Sequence, residues 1–181
     1  MSAQIAEKTT YAVDPAHTTV EFIVRHLMIT KVRGRFTGVA GTIELEPGSD
    51  VPSGVQAHID TATIDTREPQ RDTHLRSADF LEAEKHPALE FVSTRIKGTP
   101  GDFTIHGNLT IHGITREIAL KGEFEGRVTD PWGGQRIGYS ASTTINRKDF
   151  GLTWNATLET GGVVVGDQVR IELNVEAILQ K

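Results

Sequence analysis

Apolar and polar residues alternate with a period of two along much of the chain. In the segment 167–178, apolar side chains occupy every second position from Val169 to Ala177, and the positions between them are polar. The same alternation recurs at 117–125 and at 136–146. Because successive side chains of a strand point to opposite faces, this pattern predicts strands with one buried face and one face in water.

We predict eight strands from this alternation and from the turn-forming residues between the segments. They lie near 18–25, 32–46, 54–62, 88–97, 102–112, 115–128, 136–146 and 167–178. The connections are short, as in KGTPGD at 97–102 and DPWGGQ at 130–135, which makes neighbouring strands antiparallel. Eight such strands must close or stack to hide their apolar faces. The predicted fold class is all-β, a single extended eight-stranded antiparallel β-barrel.

Two segments depart from the strand pattern. The segment 65–87 is rich in helix-forming residues and has a proline near each end, so we predict a short helical segment within 68–84. A second short helical segment is predicted near 25–31. No tandem repeat or linker divides the chain, so we expect a flexible N-terminal segment at 1–10 followed by one barrel domain at 11–181.

The interior of the predicted barrel has two alternative interpretations. An eight-stranded barrel is the size that either fills with its own side chains or holds one small ligand. Small residues on the inward faces, such as Gly122 and Ala141, would leave space for a ligand. They could equally relieve the crowding of a filled barrel, and the spacing alone favours neither interpretation.

Two histidines in the segment FTIHGNLTIH, at 103–112, raise the question of a metal site. The alternation places His106 and His112 on the polar face of the predicted strand. Six residues of strand span roughly 20 Å, whereas zinc–nitrogen bonds are about 2 Å long. The two histidines cannot share one ion, and we predict no metal site for them.

The segment NRKDFGLTWN, at 146–155, carries the most individual combination of residues. Arg147 and Asp149 could form an ion pair that pins a corner at one end of the barrel, which is the interpretation we favour. They could instead form the polar end of a pocket and meet the head group of a ligand. Arg67, Asp72 and His74 could likewise rim the mouth of the barrel or simply face water.

Composition excludes several classes of function. The net charge of −5 and the pI near 5.8 argue against a nucleic-acid partner. The absence of cysteine excludes thiol catalysis, disulfides and cysteine-ligated metals. Nucleotide-binding and serine-hydrolase motifs are absent from the sequence. The chain also lacks a signal peptide and an apolar stretch of about 18 residues, so we expect a cytoplasmic protein with no transmembrane segment.

Three motifs carry a resemblance that extends from about Tyr11 to Ala177. They are RDTHLRSADF at 71–80, LTIHGITR at 109–116 and RKDFG at 147–151. In this order they resemble the YceI-like family. The resemblance implies a lipocalin-like barrel that binds a polyisoprenoid or another long amphiphile, often as a homodimer. It implies no agreed catalytic site, so we expect a binding protein and not an enzyme. Many members are periplasmic, which this chain's lack of a signal does not match.

The expected ligand is an apolar small molecule, a polyisoprenoid or isoprenoid quinone, bound without a cofactor or metal. Transient contact with a membrane is compatible with such a ligand. Two alternatives remain, an enzyme with a metal or polar pocket inside the barrel, and a stress-related interaction module without a specific lipid. The residues predicted to contact the ligand are Phe22, Phe36, Ile59, Phe91, Leu109, Ile111, Leu120, Phe124, Tyr139, Ala141, Ile145, Trp154, Val169 and Ile171, with Arg147 and Asp149 at the polar end.

Overall fold

A computed structural model describes residues 6–181 of the chain. The strands are β1 (Thr9–Val13), β2 (Thr19–His26), β3 (Thr30–Phe36), β4 (Val39–Leu45), β5 (Pro52–Asp60), β6 (Ile64–Asp65), β7 (Ala88–Thr99), β8 (Asp102–Ile111), β9 (Ile114–Thr129), β10 (Gln135–Asn146) and β11 (Val165–Leu179). The helices are α1 (Pro69–Arg76) and three short 3-10 turns at Pro15–His17, Thr61–Thr63 and Arg147–Phe150. The first five residues of the predicted flexible segment lie outside the described residues, and the last two belong to β1.

The strands form a closed barrel in which every neighbouring pair is antiparallel. The order runs β1-β4-β5-β7-β8-β9-β10-β11, and β11 pairs back with β1. One edge of β11 pairs with β10, and the other edge pairs with β2 and then with β1. β3 lies beside β2, and β6 lies beside β3. β1 with β2, and β3 with β4, therefore act as bent halves of single long strands, and the predicted eight-stranded barrel is confirmed.

The predicted helical segment at 25–31 is instead a tight hairpin between β2 and β3. Arg25 pairs with Lys31, and His26 pairs with Thr30 across the turn. Leu27 and Met28 at its tip have positive φ angles of 52° and 62°. Two consecutive positive φ angles match the twist of a right-handed strand pair, which explains why the chain reverses here without a helical turn.

α1 is the only α-helix among the described residues, and it falls inside the predicted segment 68–84. Pro69 lies in its first turn, where a missing N–H costs nothing, and the Glu68 side chain accepts a hydrogen bond from the Gln70 backbone N–H. The helix ends at Arg76, and turns continue the segment beyond Ser77. None of the helices found in residues 6–181 has the length and apolar character needed to cross a membrane.

Glycines on the inner face provide space for phenylalanine rings from the neighbouring strand. Gly122 on β9 lies directly opposite Phe103 on β8, and a Cβ atom at Gly122 would lie 2.2 Å from the Phe103 ring. Gly34 stands in the same relation to Phe22. Of the two interpretations of the small inward residues, Gly122 therefore fits relief of crowding, because an aromatic ring takes the space beside it.

A candidate ligand-binding cavity

The barrel encloses a cavity of about 420 Å³ whose wall is mainly apolar. Inward side chains from strands on all sides contribute to it, together with α1 and the segment after Arg147. Of the residues predicted to contact the ligand, those on the wall are Phe22, Phe36, Ile59, Phe91, Leu109, Ile111, Leu120, Tyr139, Ala141, Ile145, Trp154, Val169 and Ile171. Their contact with a ligand stays a prediction. The cavity itself decides between the two interpretations of the interior in favour of open space.

Phe124 does not lie on the wall, although its position in the alternation points inward. The pairing of β9 with β10 shifts register between Gly138 and Tyr139. The Phe124 ring packs against Tyr139 at a centroid distance of 5.5 Å, and only Tyr139 reaches the cavity. Phe124 pairs with Tyr139 before this shift, so both side chains face inward, but Phe124 packs against the core beside the cavity. Its contact with a ligand stays a prediction.

Tyr139 and its neighbours close one end of the cavity. The Tyr139 hydroxyl donates a hydrogen bond of 2.8 Å to the Asp50 carbonyl oxygen. Beside it, Arg127 donates to the Tyr11 hydroxyl and to the Asp50 carboxylate, each at 2.7 Å. Burial raises the pKa of Tyr139, so its hydroxyl stays neutral. We call this the closed end of the cavity.

The opposite end is polar because α1 covers it. Arg71, His74 and Leu75 lie on one face of α1 at the i, i+3 and i+4 positions, and all three line the cavity. The buried Asp72 holds the helix in place by accepting hydrogen bonds from the backbone N–H and the hydroxyl of Thr66. We call this the α1 end. His74 therefore lies on the wall, whereas Asp72 is a buried acceptor that faces neither the mouth nor the solvent.

Arg71 is a charged residue of the cavity wall that the sequence interpretation missed. Its guanidinium donates to the Thr66 hydroxyl at 2.8 Å and to the Thr66 carbonyl oxygen at 2.9 Å. Within residues 6–181, no carboxylate oxygen lies within 4.0 Å of it to form a salt bridge. The i, i+3 spacing between Arg71 and His74 on a predicted helix was the signal that could have found it.

His74 is held firmly in the α1 end. Its Nε2 atom lies 2.8 Å from the Asp79 carboxylate. Its ring packs edge-on against Phe80 and Trp154, at centroid distances of 5.0 and 4.8 Å. These contacts join α1 to the segment that follows β10.

Arg147 also lines this end, but its partners differ from the predicted one. Only 3 % of it is exposed, and it donates to the carbonyl oxygens of Leu152, Gly166 and Trp154 at 2.6, 2.8 and 2.9 Å. Its nearest carboxylate belongs to Asp167, at 3.8 Å. Asp149 is exposed on the outside of the 3-10 turn, so the predicted Arg147–Asp149 pair is wrong.

The Arg147 side chain fixes the loop between β10 and β11. Burial lowers its pKa, and the backbone carbonyl oxygens around it compensate for lost water. The left-handed conformation of Gly151, with φ of 72°, lets the chain leave the 3-10 turn toward these carbonyl groups. The hydrogen-bonding groups of Arg147 are buried and already paired, which indicates a structural role for this residue at the α1 end.

The three sequence motifs meet at this same end of the barrel. The motif at 71–80 contributes α1, and its His74 contacts Trp154 just after the motif at 147–151. The motif at 109–116 forms the β8–β9 turn, where the His112 Nδ1 atom lies 3.4 Å from the Phe150 carbonyl oxygen. Residues that are far apart in the chain thus build one structure around the polar end of the cavity.

A YceI-like domain model matches residues 11–177, which is nearly the whole chain. This chain belongs to the YceI-like family. A UPF0312 protein of Vibrio cholerae is 38 % identical over 151 residues, which cover 81 % of this chain and 79 % of that protein. The predicted family membership is confirmed.

Solved structures agree with the barrel of this YceI-like protein. The YCEI protein of Campylobacter jejuni superposes with a TM-score of 0.76 at 29 % identity, and the match covers 87 % of this chain and 90 % of that one. A domain from Saccharophagus degradans described as polyisoprenoid-binding superposes with a TM-score of 0.68 at 14 % identity, covering 94 % and 98 % of the two chains. At that identity the second likeness concerns the fold alone.

In this YceI-like protein, His112 does not lie on the polar face of β8 as predicted. β8 ends at Ile111, and His112 begins the β8–β9 turn with a φ angle of 55°. Because the strand alternation stops before it, its ring turns toward Glu82 and His86. His106 lies within β8 and is not part of this cluster.

Proposed function

We propose that this protein binds one long-chain apolar amphiphile, such as a polyisoprenoid or an isoprenoid quinone, and carries or stores it without chemical change. The observation that supports this proposal is the mainly apolar cavity of about 420 Å³ inside the barrel. That volume falls within the range of roughly 300–1,000 Å³ found for small-molecule sites. Burying on the order of 400 Å² of isoprenoid contributes about 10 kcal/mol before association and ordering costs.

The polar groups suggest how the ligand is oriented. The apolar tail extends toward Tyr139 at the closed end, and the head group meets Arg71 at the α1 end. The Arg71 guanidinium has spare donor capacity beyond its two bonds to Thr66. A carboxylate, phosphate or quinone oxygen is the type of acceptor that such a cation binds.

A binding role explains this cavity better than the two alternative functions. A catalytic pocket needs an acid, base or nucleophile that is free to reach the substrate. At the α1 end, Arg71 and Arg147 are cations that do not lose their protons, and the His74 ring is packed between Phe80 and Trp154. An interaction module without a ligand has no need of so large an apolar cavity. The description of the Saccharophagus degradans domain as polyisoprenoid-binding agrees with the proposal at the level of the fold.

Organic extraction of the purified protein, followed by mass spectrometry, tests the proposal directly. The expected result is one isoprenoid or similar lipid per protein chain. The extracted protein should then take up a fluorescent polyene fatty acid at about one equivalent. A protein that releases no lipid and takes up no polyene would overturn the binding function.

Arg71→Gln tests the orientation of the ligand. The variant should bind the polyene fatty acid at least ~10-fold more weakly than the wild type, because a charged hydrogen bond is lost. Binding of the matching polyene alcohol should change little. Arg67→Gln is the matched control, since Arg67 is exposed and lies off the cavity wall. An equal loss for both probes would contradict head-group recognition by Arg71.

A further inference from the structure

Glu82, His86 and His112 bring their side chains together outside the cavity. Each offers one oxygen or nitrogen atom, and these atoms lie within 4.8 Å of one another. The His112 Nε2 atom is 3.5 Å from the Glu82 Oε2 atom, and the two imidazole rings lie at a centroid distance of 4.9 Å. None of the three lines the cavity, so the cluster is distinct from the proposed lipid site.

The backbone around the cluster positions all three side chains. The His86 N–H donates to the Glu82 carbonyl oxygen at 3.0 Å, which forms one helical turn and brings these two residues to the same side. His112 has a φ angle of 55° and Glu82 has a φ angle of 48°, both uncommon for residues other than glycine. These conformations turn both side chains toward His86.

The hydrogen bonds around the cluster leave the nitrogen and oxygen atoms that face its centre available as ligands. The His112 Nδ1 atom faces the Phe150 carbonyl oxygen at 3.4 Å, so a proton on Nδ1 leaves Nε2 with its lone pair toward Glu82. Such a bond to the second ring nitrogen is usual for metal-ligating histidines. The exposed Lys85 contacts Oε1 of Glu82, at 3.2 Å, and not the Oε2 atom that faces His112.

We propose that Glu82, His86 and His112 form a binding site for a divalent transition-metal ion, with Zn²⁺ as the best fit. Two imidazoles and one carboxylate match the ligands that Zn²⁺ prefers, and water completes the coordination. Mg²⁺ and Ca²⁺ prefer sites made of oxygen atoms alone, so this donor set disfavours them.

A second cluster, Asp14, His17 and Glu176, also brings its ligand atoms within 4.8 Å of one another, but an arginine side chain lies beside it. The Arg136 guanidinium donates to Asp14 at 2.8 Å and to Glu176 at 2.7 Å. Because this cation already occupies both carboxylates and holds a positive charge beside them, it repels a metal ion. This cluster therefore provides an internal control.

Metal binding would connect the site to the cavity wall through adjacent residues. Leu81 precedes Glu82, Ile111 precedes His112, and both line the cavity. An ion held between Glu82 and His112 would therefore brace the segment after α1 against the β8–β9 turn. Since the ion binds only the folded chain, it should raise the melting temperature.

Metal-free protein titrated with Zn²⁺ in a calorimeter, and with Co²⁺ by visible absorption, tests the site. We expect one equivalent to bind and the melting temperature to rise. His86→Ala and Glu82→Gln should each weaken Zn²⁺ binding by at least ~10-fold and remove the shift in melting temperature. For the third ligand, His112→Asn is preferable to alanine, because asparagine tolerates a positive φ angle and the turn is kept.

His106→Ala and His17→Ala are the matched controls and should bind Zn²⁺ like the wild type. His106 lies in the middle of β8, away from the turn, and His17 belongs to the cluster that Arg136 occupies. Wild-type protein that binds no Zn²⁺, or variants of the three proposed ligands that bind it normally, would overturn the proposal. Loss of binding in His17→Ala would do the same. Because the readouts need no lipid, failure here leaves the proposed lipid binding untouched.

Discussion

The buried guanidinium of Arg147 is bound mainly by backbone carbonyl oxygens, and its nearest carboxylate, that of Asp167, lies farther away at 3.8 Å. Its strongest partners are the carbonyl oxygens of Leu152, Gly166 and Trp154. A side chain with several donors in a fixed plane can satisfy several acceptors at once, which a lysine could not do with the same geometry. One residue thereby holds the loop between β10 and β11 against the α1 end.

Arg147→Ala should reduce the free energy of unfolding by about 3 kcal/mol or more, because buried carbonyl groups lose their donors. Asp149→Ala is the control, and it should change the free energy of unfolding by no more than about 0.5 kcal/mol because Asp149 is exposed. Urea denaturation of the two variants measures the difference. If Arg147→Ala kept its stability but took up less lipid, Arg147 would act in head-group recognition and not as a structural residue.

Asp14 gives the protein a predictable response to acid. A hydrogen bond from His17 and a second one from Arg136 lower the pKa of Asp14 from 3.8 to about 2. A carboxyl group with a depressed pKa stabilises the fold above its unfolded pKa, and this stabilisation is lost as the pH falls from about 4 toward 2.

Asp14→Asn should therefore be less stable than the wild type at pH 7, on the order of 1 kcal/mol after allowance for solvent screening. The difference should shrink below pH 4 and be largely lost near pH 2. Thermal melts at a series of pH values measure it. A difference that persists unchanged at pH 2 would show that the effect of Asp14 does not come from its charge.

Small inward-facing residues on adjacent strands of the barrel have different surroundings. Gly122 on β9 lies opposite both Phe103 on β8 and Ala141 on β10. The Phe103 ring occupies the space above Gly122, whereas Ala141 lies on the cavity wall. Two small residues that look equivalent in the sequence therefore have opposite environments, one filled and one open.

Gly122→Leu should lower stability by about 1–3 kcal/mol because it overpacks the space held by Phe103. Ala141→Phe should keep the barrel folded and reduce the uptake of a long polyene, because its ring enters the cavity. Paired measurements of melting temperature and polyene fluorescence distinguish the two outcomes. If Ala141→Phe lost stability without any change in polyene uptake, the cavity could not be the binding site.

The closed barrel encloses a space that its own side chains leave empty. Closure depends on β11, which bridges β10 on one edge to β2 and β1 on the other. α1 covers one end, and Tyr139 with its partners closes the other. An enclosed apolar space is stabilised when a ligand fills it, because the ligand regains contacts that the empty wall lacks.

Loading should therefore stabilise the folded protein measurably. At a free ligand concentration of 100 times Kd, binding adds about 2.7 kcal/mol to the free energy of unfolding. Extracted protein reloaded with the polyene fatty acid should melt at a higher temperature than the empty protein. Ala141→Phe provides the control and should show a smaller rise. Equal melting temperatures for loaded and empty wild type would argue against a ligand inside the barrel.

The local alternation of residues was sufficient to predict most of the strands, and nearly all of the predicted contact residues lie on the cavity wall. In β11, Val169 and Ile171 face inward because a pleated strand directs every second side chain to one side, whatever strand lies next to it. Each of these antiparallel strands has one apolar face, and closing the sheet into a barrel buries all of these faces together. The number of barrel strands and the inward identity of these residues thus follow from short-range physics.

Contacts between distant segments could not be predicted in the same way. Phe124 faces inward beside Tyr139 but packs outside the cavity, and the end of β8 at Ile111 releases His112 from the alternation. The meeting of His112 with Glu82 depends on how the segment after α1 packs against the β8–β9 turn. Such contacts depend on register, bulges and barrel closure, which involve many residues at once. No short stretch of sequence specifies them, because the energy that selects them exists only when the whole barrel has formed.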